Sequence, residues 1–342
     1  MRIVTGTTRA IFRGALLAAA FALAGCGGGP AEGETEGEAA AAPIAIHGNT
    51  HTFEIAPVLL AAAEYYPGEA TVKMGGIPNL VGAPMIPGFG EEGVADVATH
   101  AETQILRYSV DHPDLRVILN VTEGLYRVVA RRSAGIASMA DMAGKRVATI
   151  PQTSSGYFLS RMLAREGLSF DDIEVVSISP LEDMAGAIER GEVDAVVIWE
   201  PYSEQASRAL GEDAIEFGGA GVYRELFNLN TTAENLADPE KRAKIVTFVR
   251  AVMDAAEATR ADPAAAQALV EDSGGFVTQD VADAWRHHAF MASMPDDLLD
   301  VLVEEEQWLA ARDGRPARPR EQLATLIDDS IYREALALDG RR

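Results

Sequence analysis

The chain has 342 residues, of which 48% are hydrophobic, and a formal net charge of −23 at pH 7. This length allows two domains with cores of ordinary size, and so acidic a surface argues against nucleic acid and anionic lipid as partners. Cys26 is the only cysteine, which excludes an intrachain disulfide and, if it carries a lipid, leaves no thiol for catalysis or metal binding.

Residues 1–25 have the layout of an export signal. Three arginines and no acidic residue accompany an apolar run from Ala15 to Ala24, which is shorter than the roughly 20 residues of a membrane-spanning helix. The string Leu-Ala-Gly-Cys at 23–26 resembles the lipobox of bacterial lipoproteins, which predicts that Cys26 is acylated. The alternative is a chance cluster of small residues with a buried cysteine.

Residues 26–42 predict an acidic, flexible tether. Four glutamates are interleaved with glycine and alanine between Gly27 and Ala42. Such a composition cannot bury enough apolar area to offset the entropy lost on ordering. The folded part is therefore expected to begin near Pro43.

The folded part alternates short apolar runs with amphipathic stretches, a pattern typical of βα units and a parallel sheet. The predicted strands are Ile44–His47, Val94–Ala98, Leu115–Val121, Val147–Ile150, Ile173–Ile178 and Val193–Ile198. The predicted helices are Glu54–Tyr66, Ala101–Val110, Ser155–Glu166, Leu181–Arg190 and a segment that begins near Pro201. From Ala233 onwards nearly all of the pattern predicts helix.

Polar or aromatic residues follow four of the predicted strands, where an open parallel sheet binds its ligands. These strand ends are Asn49–Thr52, Thr99–Glu102, Gln152–Ser155 and Trp199–Glu200. At Gln152–Ser155, the hydroxyls and the free N–H groups of the helix start could bind an anion or a carbonyl oxygen. Alternatively, the hydroxyls could simply cap the helix.

Glu200 and His51 each allow two interpretations. Glu200 could accept from an amine or ring N–H of a ligand, or could be a structural acid at a helix N-terminus. His51 could donate to a ligand or lie in an exposed loop. The six histidines are scattered, so we expect no metal site, and nothing indicates a cofactor.

Four strings between residues 141 and 202 carry a family resemblance. They are Asp-Met-Ala-Gly-Lys-Arg-Val at 141–147, Thr-Ser-Ser at 153–155, Gly-Glu-Val-Asp-Ala at 191–195 and Trp-Glu-Pro-Tyr at 199–202. Their order and spacing resemble the second lobe of the nitrate, sulfonate, taurine and thiamine-precursor binding proteins. A weaker likeness, Gly-Val-Ala-Asp-Val-Ala-Thr at 93–99, lies in the first lobe. The chain is thus identified as a member of the NMT1/THI5-like family.

The resemblance implies an α/β fold, that of a two-lobed type II periplasmic binding protein. Each lobe would be a mostly parallel sheet flanked by helices, with a ligand cleft between the lobes that closes by hinge motion. Residues 43–127 would begin lobe 1, residues 128–221 would form lobe 2, and residues 222–342 would return to lobe 1 and add the C-terminal helices. The crossings would lie near residues 125–130 and 222–229.

The strand ends and the resemblance together assign ligand binding to His51, Thr99, Thr153, Ser154, Ser155, Tyr157, Trp199 and Glu200. The family's ligand-binding role is transferred to residues 153–155 and Glu200 because they match its motifs. It is transferred to His51 and Thr99 by their position only. Aromatic residues would supply flat walls. A ligand with an oxyanion or carbonyl at one end and an N–H donor at the other would use all of these groups, whereas nitrate is too small to do so.

The implied function is that of an ABC importer's extracytoplasmic binding component. It would be a periplasmic, lipid-anchored monomer that hands a small molecule to a permease and ATPase complex. Alternatives are a sensory lipoprotein without transport and a hydrolase that uses Ser154 or Ser155. No Gly-x-Ser-x-Gly motif and no identifiable acid and histidine pair support a hydrolase, so we expect no catalytic residues.

Residues 75–93 depart from the family pattern. Glycines and prolines interrupt a stretch where the family usually has a short helix. We therefore expect an irregular loop near the mouth of the cleft.

Overall fold

The structure is a computed structural model that describes residues 41–85 and 90–338. The predicted signal, Cys26 and nearly all of the tether lie outside the described residues, as do residues 86–89 of the Gly/Pro-rich stretch. Within the described ranges, no helix is both long enough and apolar enough to cross a membrane.

Residues 41–85 and 90–338 form eleven strands. They are β1 (Ala41–Gly48), β2 (Gly68–Met74), β3 (Val97–Ala101), β4 (Leu115–Gly124), β5 (Arg127–Arg131), β6 (Arg146–Ala148), β7 (Glu174–Val176), β8 (Ala195–Val197), β9 (Ala214–Gly218), β10 (Glu225–Thr232) and β11 (His288–Ala289).

The same part of the chain contains thirteen α-helices. They are α1 (Ala56–Leu60), α2 (Pro78–Val81), α3 (Glu102–Tyr108), α4 (Ser154–Arg165), α5 (Asp183–Glu189), α6 (Tyr202–Leu210), α7 (Ala233–Ala237), α8 (Pro239–Ala261), α9 (Ala264–Gly274), α10 (Thr278–Ala284), α11 (Leu298–Arg312), α12 (Arg320–Ala324) and α13 (Ser330–Ala337). A π-helical turn, Ala61–Tyr65, continues α1.

The strands form two sheets, one in each lobe. The first has the order β11-β4-β10-β3-β1-β2 and the second the order β7-β6-β8-β5-β9. The chain leaves the first sheet after β4 and enters the second at β5, and it returns between β9 and β10. The α/β fold with two lobes is therefore as predicted.

Four of the six strands in the first sheet and four of the five in the second run in the same direction, so the prediction of mostly parallel sheets is confirmed. The strands of the βα units are parallel, namely β1 with β2 and β3, and β6 with β7 and β8. Strands β5 and β10, which follow the two crossings, pair antiparallel with both of their neighbours. A strand that enters a sheet directly from the other lobe, without a crossover helix, has no reason to run parallel.

Each lobe is stabilised by a hydrophobic core of its own. In the first lobe, Phe53, Phe248 and Ile46 are fully buried among helices α1, α8 and α9 and strand β1. In the second, Phe158 and Val196 are equally buried between α4 and the sheet. Full burial of such a side chain contributes about 1.5–3 kcal/mol, so each lobe has an adequate core of its own.

The Gly/Pro-rich stretch contains one helix that the sequence did not predict. Pro78 stands at the first position of α2, where its missing N–H is harmless, and Gly82 ends the helix in a left-handed conformation (φ 67°). The expectation of a wholly irregular loop is therefore wrong for residues 78–81.

Candidate functional site

A cavity lies between the two lobes. It offers about 120 Å³, several times the roughly 10–15 Å³ that one water molecule needs, so a small molecule fits inside it. The first lobe contributes Asn49, Thr52, Glu54, Gly75, Gly76, Pro78, Met85, His100, Ala101, Gln104, Tyr108, Glu225 and Phe227. The second lobe contributes Ile150, Thr153, Ser154 and Trp199.

The start of helix α4 brings two predicted residues to the cavity. Thr153, in an extended conformation before the helix, donates from Oγ1 to the carbonyl oxygen of Ile150 at 2.8 Å. The Ser154 hydroxyl lies 2.9 Å from the Tyr126 hydroxyl and donates to Glu225 Oε1 at 3.2 Å. Both residues therefore line the cavity, but each hydroxyl already forms hydrogen bonds within the protein.

Trp199 lines the cavity just after strand β8. Its side chain is buried, with 8% exposed, and its indole Nε1 has no hydrogen-bond partner among the described residues. Leaving a buried donor without an acceptor costs about 1–3 kcal/mol. A bound molecule with an acceptor atom would remove this penalty.

Trp199 also borders a neighbouring groove, which contains His51, Asn49 and Tyr202. The backbone N–H of His51 donates to Asn49 Oδ1 at 3.0 Å, and its ring meets Phe276 edge-on with 6.4 Å between the centroids. His51 is thus near the cavity but does not line it.

His100 lines the cavity as a neutral donor. Burial, with a smaller effect of Arg107, lowers the pKa of His100 to about 4. Its Nδ1 accepts the N–H of Ile77 at 3.3 Å, which assigns the ring hydrogen to Nε2. A Cβ at Gly76 would lie 2.5 Å from this ring, so the glycine makes room for the histidine.

Two carboxyl groups form the floor of the cavity, on Glu54 before α1 and on Glu225 at the start of β10. Glu225 Oε1 accepts hydrogen bonds from Tyr126 and Ser154. Burial, followed by repulsion from Glu54 and Glu102, raises the pKa of Glu225 well above its usual range. Glu225 therefore keeps its proton to a higher pH than an exposed carboxyl group does.

Thr99 and Ser155 do not line the cavity, although both were predicted to bind ligand. Thr99 is fully buried in β3, and its Oγ1 occupies the space that a side chain at Gly48 would need. The Ser155 hydroxyl lies 2.8 Å from that of Thr153 and 3.3 Å from that of Thr149. Their ligand-binding role stays a prediction, and their observed contacts are internal.

Tyr157 and Glu200 also point elsewhere. Tyr157 packs edge-on against Trp308, with ring centroids 5.2 Å apart. Glu200 lies 2.9 Å from Arg127 Nη2 and accepts the N–H of Glu204 at 2.9 Å, which is the structural alternative stated above. Burial outweighs Arg127 and raises the pKa of Glu200 to about 7.

Several lining residues were missed by the sequence analysis. Asn49 and His100 belong to strand ends that were singled out, so a wider choice there would have included them. Gln104 and Tyr108 follow on the same helical face. Glu225 could have been suspected, since it is a charged residue at the start of the otherwise buried, uncharged strand β10.

Sequence comparison relates the chain to binding proteins. The family model described as NMT1/THI5 like matches residues 86–266. A protein of Escherichia coli named for binding aliphatic sulfonates is 31% identical over 165 residues, which cover 47% of this chain. The match spans 49% of that relative, so the chain matches about half of its length.

Solved structures share the fold. The periplasmic aliphatic sulfonate-binding protein of Escherichia coli superposes with a TM-score of 0.64 and 17% identity, over 84% of this chain and 92% of that one. The desulfurization enzyme DszB superposes with a TM-score of 0.57 and 16% identity, over 87% and 99%. Binding proteins and an enzyme therefore share this fold. The family model covers more than half of the sequence, and on that ground the chain belongs to the NMT1/THI5-like family.

Proposed function

We propose that this protein is the extracytoplasmic solute-binding component of an ABC importer. It binds a small organic molecule between its lobes and delivers it to a permease and ATPase complex. The observation that carries the proposal is the cavity, which both lobes line and in which the buried Trp199 N–H has no partner among the described residues. Family membership and the sulfonate-binding relative support it.

Within this proposal, Thr153, Ser154 and Trp199 contact the ligand, and His51 lies in the neighbouring groove. The cavity is larger than nitrate requires, and its walls include the aromatic rings of Tyr108 and Phe227. An organic molecule with a flat or apolar body fits these walls better than a small inorganic anion does.

A thermal-shift screen tests solute binding, since a specific ligand raises the melting temperature by mass action. The panel is taurine, ethanesulfonate, nitrate, 4-aminopyrimidine, 4-hydroxybenzamidine and 4-hydroxybenzoate. We expect at least one of them to stabilise the protein and Trp199→Phe to weaken its binding by about 1–3 kcal/mol, because the indole N–H is lost. Trp285→Phe is the matched control, since Trp285 packs against Phe290 and does not line the cavity. A panel without any effect counts against the proposal.

We also propose that the protein binds its ligand without converting it. The hydroxyl of Ser154 bonds to Tyr126 and Glu225, and that of Ser155 to two threonines, so the hydrogen bonds of neither serine include a histidine that could activate it. Because DszB shares the fold, any panel member that binds should be incubated with the protein and analysed by mass spectrometry. A new product would overturn this part of the proposal.

The proposed location is the periplasm, where the protein is a monomer anchored by a lipid on Cys26. The Leu-Ala-Gly-Cys string and the absence of a second cysteine support this anchor. Cys26→Ser should release the protein in soluble form or leave the precursor unprocessed, as measured by membrane fractionation. Wild-type fractionation of the variant would contradict the anchor. Binding without uptake by cells would favour the sensory alternative.

A further inference from the structure

The two lobes meet at the carboxyl group of Glu225. This residue starts β10, directly after the second crossing, and Tyr126 lies in the first crossing, between β4 and β5. Ser154, at the start of α4 in the second lobe, donates to Glu225 Oε1 at 3.2 Å, and the Tyr126 hydroxyl donates to the same oxygen at 3.0 Å. One carboxyl oxygen of the first lobe therefore accepts hydrogen bonds from the opposite lobe and from the connection between the lobes.

The second oxygen of Glu225 meets the carboxyl group of Glu54. A Cβ at Gly124 would lie 2.8 Å from Glu225 Oε2 and 3.3 Å from Glu54 Oε1, so both oxygens crowd the same small space. No N–H or other O–H of the described residues donates to either oxygen. The two carboxyl groups are hydrogen-bonded to each other, which requires a proton on one of them, because an ionised carboxylate only accepts. The pair therefore shares a proton in this form of the protein.

The surroundings of this pair do not compensate a second negative charge. The titratable groups that face Glu225 are Glu54, Glu102, Glu305, Tyr126 and Tyr223. His288 faces Glu54 at 3.4 Å, and Arg224, next to Glu225 in sequence, pairs with two other acidic residues. Within residues 41–85 and 90–338, no lysine or arginine pairs with Glu54 or Glu225. Loss of the shared proton thus leaves two buried carboxylates in contact, which is unfavourable in the closed protein.

Opening of the lobes would remove this penalty. Glu54 and Glu225 are only 1% and 4% exposed, at the floor of the cavity between the lobes. If the lobes separate, Ser154 leaves with the second lobe and water reaches the pair. Burial and the neighbouring carboxyl groups raise the pKa of Glu225 in the closed form, so this form binds the proton more tightly than a hydrated one. Closure is then favoured at low pH, and the advantage is lost as the pH rises through the raised pKa.

We propose that closure of the two lobes is coupled to the proton that Glu54 and Glu225 share. The closed form keeps this proton, and its release to water at higher pH favours the open form. The ratio of closed to open molecules falls by up to about tenfold per pH unit over the range in which one proton is released. This coupling acts on the hinge itself and holds for the ligand-free protein, so it does not depend on the proposed importer function.

Small-angle X-ray scattering of the purified, ligand-free protein between about pH 5 and pH 9 tests the coupling, since buried glutamates titrate in this range. We expect the radius of gyration to increase with pH. Glu225→Gln keeps the shape and the acceptor oxygen of the side chain but cannot titrate, so its radius should stay at the low-pH value. If this variant folds poorly, Glu54→Gln replaces it, because loss of the second carboxyl group also removes the shared proton.

Glu321→Gln is the matched control, because Glu321 is exposed and remote from the cavity lining. This variant should expand with pH as the wild type does. A wild-type radius that is constant over the whole range would overturn the inference, as would the same expansion in both Glu225→Gln and Glu54→Gln. Circular dichroism at each pH separates opening from unfolding: expansion that is accompanied by loss of the helical signal would also overturn it.

Discussion

At the scale of single residues, two carboxyl groups meet in the interior away from the cavity. Glu102 accepts hydrogen bonds from the Tyr223 hydroxyl and from the N–H of Leu226, the latter at 2.8 Å. Glu305 is fully buried and has no such donor among the described residues. Burial, followed by repulsion from Glu102, raises the pKa of Glu305 well above its usual range. The pair is therefore stable only while it shares a proton.

This pair makes stability depend on pH. A carboxyl whose pKa is raised on folding stabilises fully below its unfolded value of 4.5, and that contribution is lost as the pH rises through the folded pKa. The loss is up to about 1.4 kcal/mol per pH unit for each such group. Glu305→Gln removes one group at nearly constant shape, so the unfolding free energy of the variant should decline less between about pH 5 and pH 8. Chemical denaturation at several pH values measures it.

The exposed Glu321 provides the control for this measurement. Glu321→Gln makes the same chemical substitution without altering a buried group, so its stability should follow the wild-type pH profile. If Glu305→Gln also follows that profile, the Glu102–Glu305 pair does not hold the proton inferred here.

At the scale of elements, helix α3 connects the cavity to the opposite lobe. Ala101, Gln104 and Tyr108 are spaced three and four residues apart, so they share the face that lines the cavity. Gln104 Nε2 donates to the carbonyl oxygen of Gln152 at 3.2 Å, and Arg107 Nη1 donates to the same oxygen at 3.3 Å. One helix of the first lobe thus both lines the cavity and holds the second lobe.

At the scale of the whole molecule, the two lobes are joined by the short connections β4–β5 and β9–β10. We expect a hinge there to allow opening and closure, and the hydrogen bonds of Gln104 and Arg107 to Gln152 to favour the closed form. Each such bond contributes about 0.5–1.5 kcal/mol, so removing both should lower the ratio of closed to open molecules by about tenfold. Gln104→Ala combined with Arg107→Ala should therefore increase the radius of gyration of the ligand-free protein in X-ray scattering.

Arg116→Ala is the control for closure, because Arg116 donates only to carbonyl groups of its own lobe, those of Pro113 and Leu115. It should leave the scattering unchanged. A double variant as compact as wild type would contradict the role of these contacts in closure.

The sequence alone determined the family, the order of most βα units and the two segments that reach the cavity from the second lobe. These features depend on local patterns: apolar periodicity, the hydroxyl segment before α4 and the strings at 141–202. Strand β2 was missed, since its seven residues are partly exposed and carry only a weak alternation. The short helix α2 was missed because its proline and glycine were taken as interruptions, not as its two ends.

Only the tertiary structure decided which strand-end side chains meet. Ser154 reaches the cavity and Ser155 does not, since consecutive residues at a helix start point about 100° apart. Trp199 faces the cavity, whereas its neighbour Glu200 turns to Arg127, which is 73 positions earlier in the chain. Glu225 lines the floor of the cavity because the second crossing, between β9 and β10, brings the start of β10 there. These placements depend on contacts between distant segments, which a local pattern does not encode.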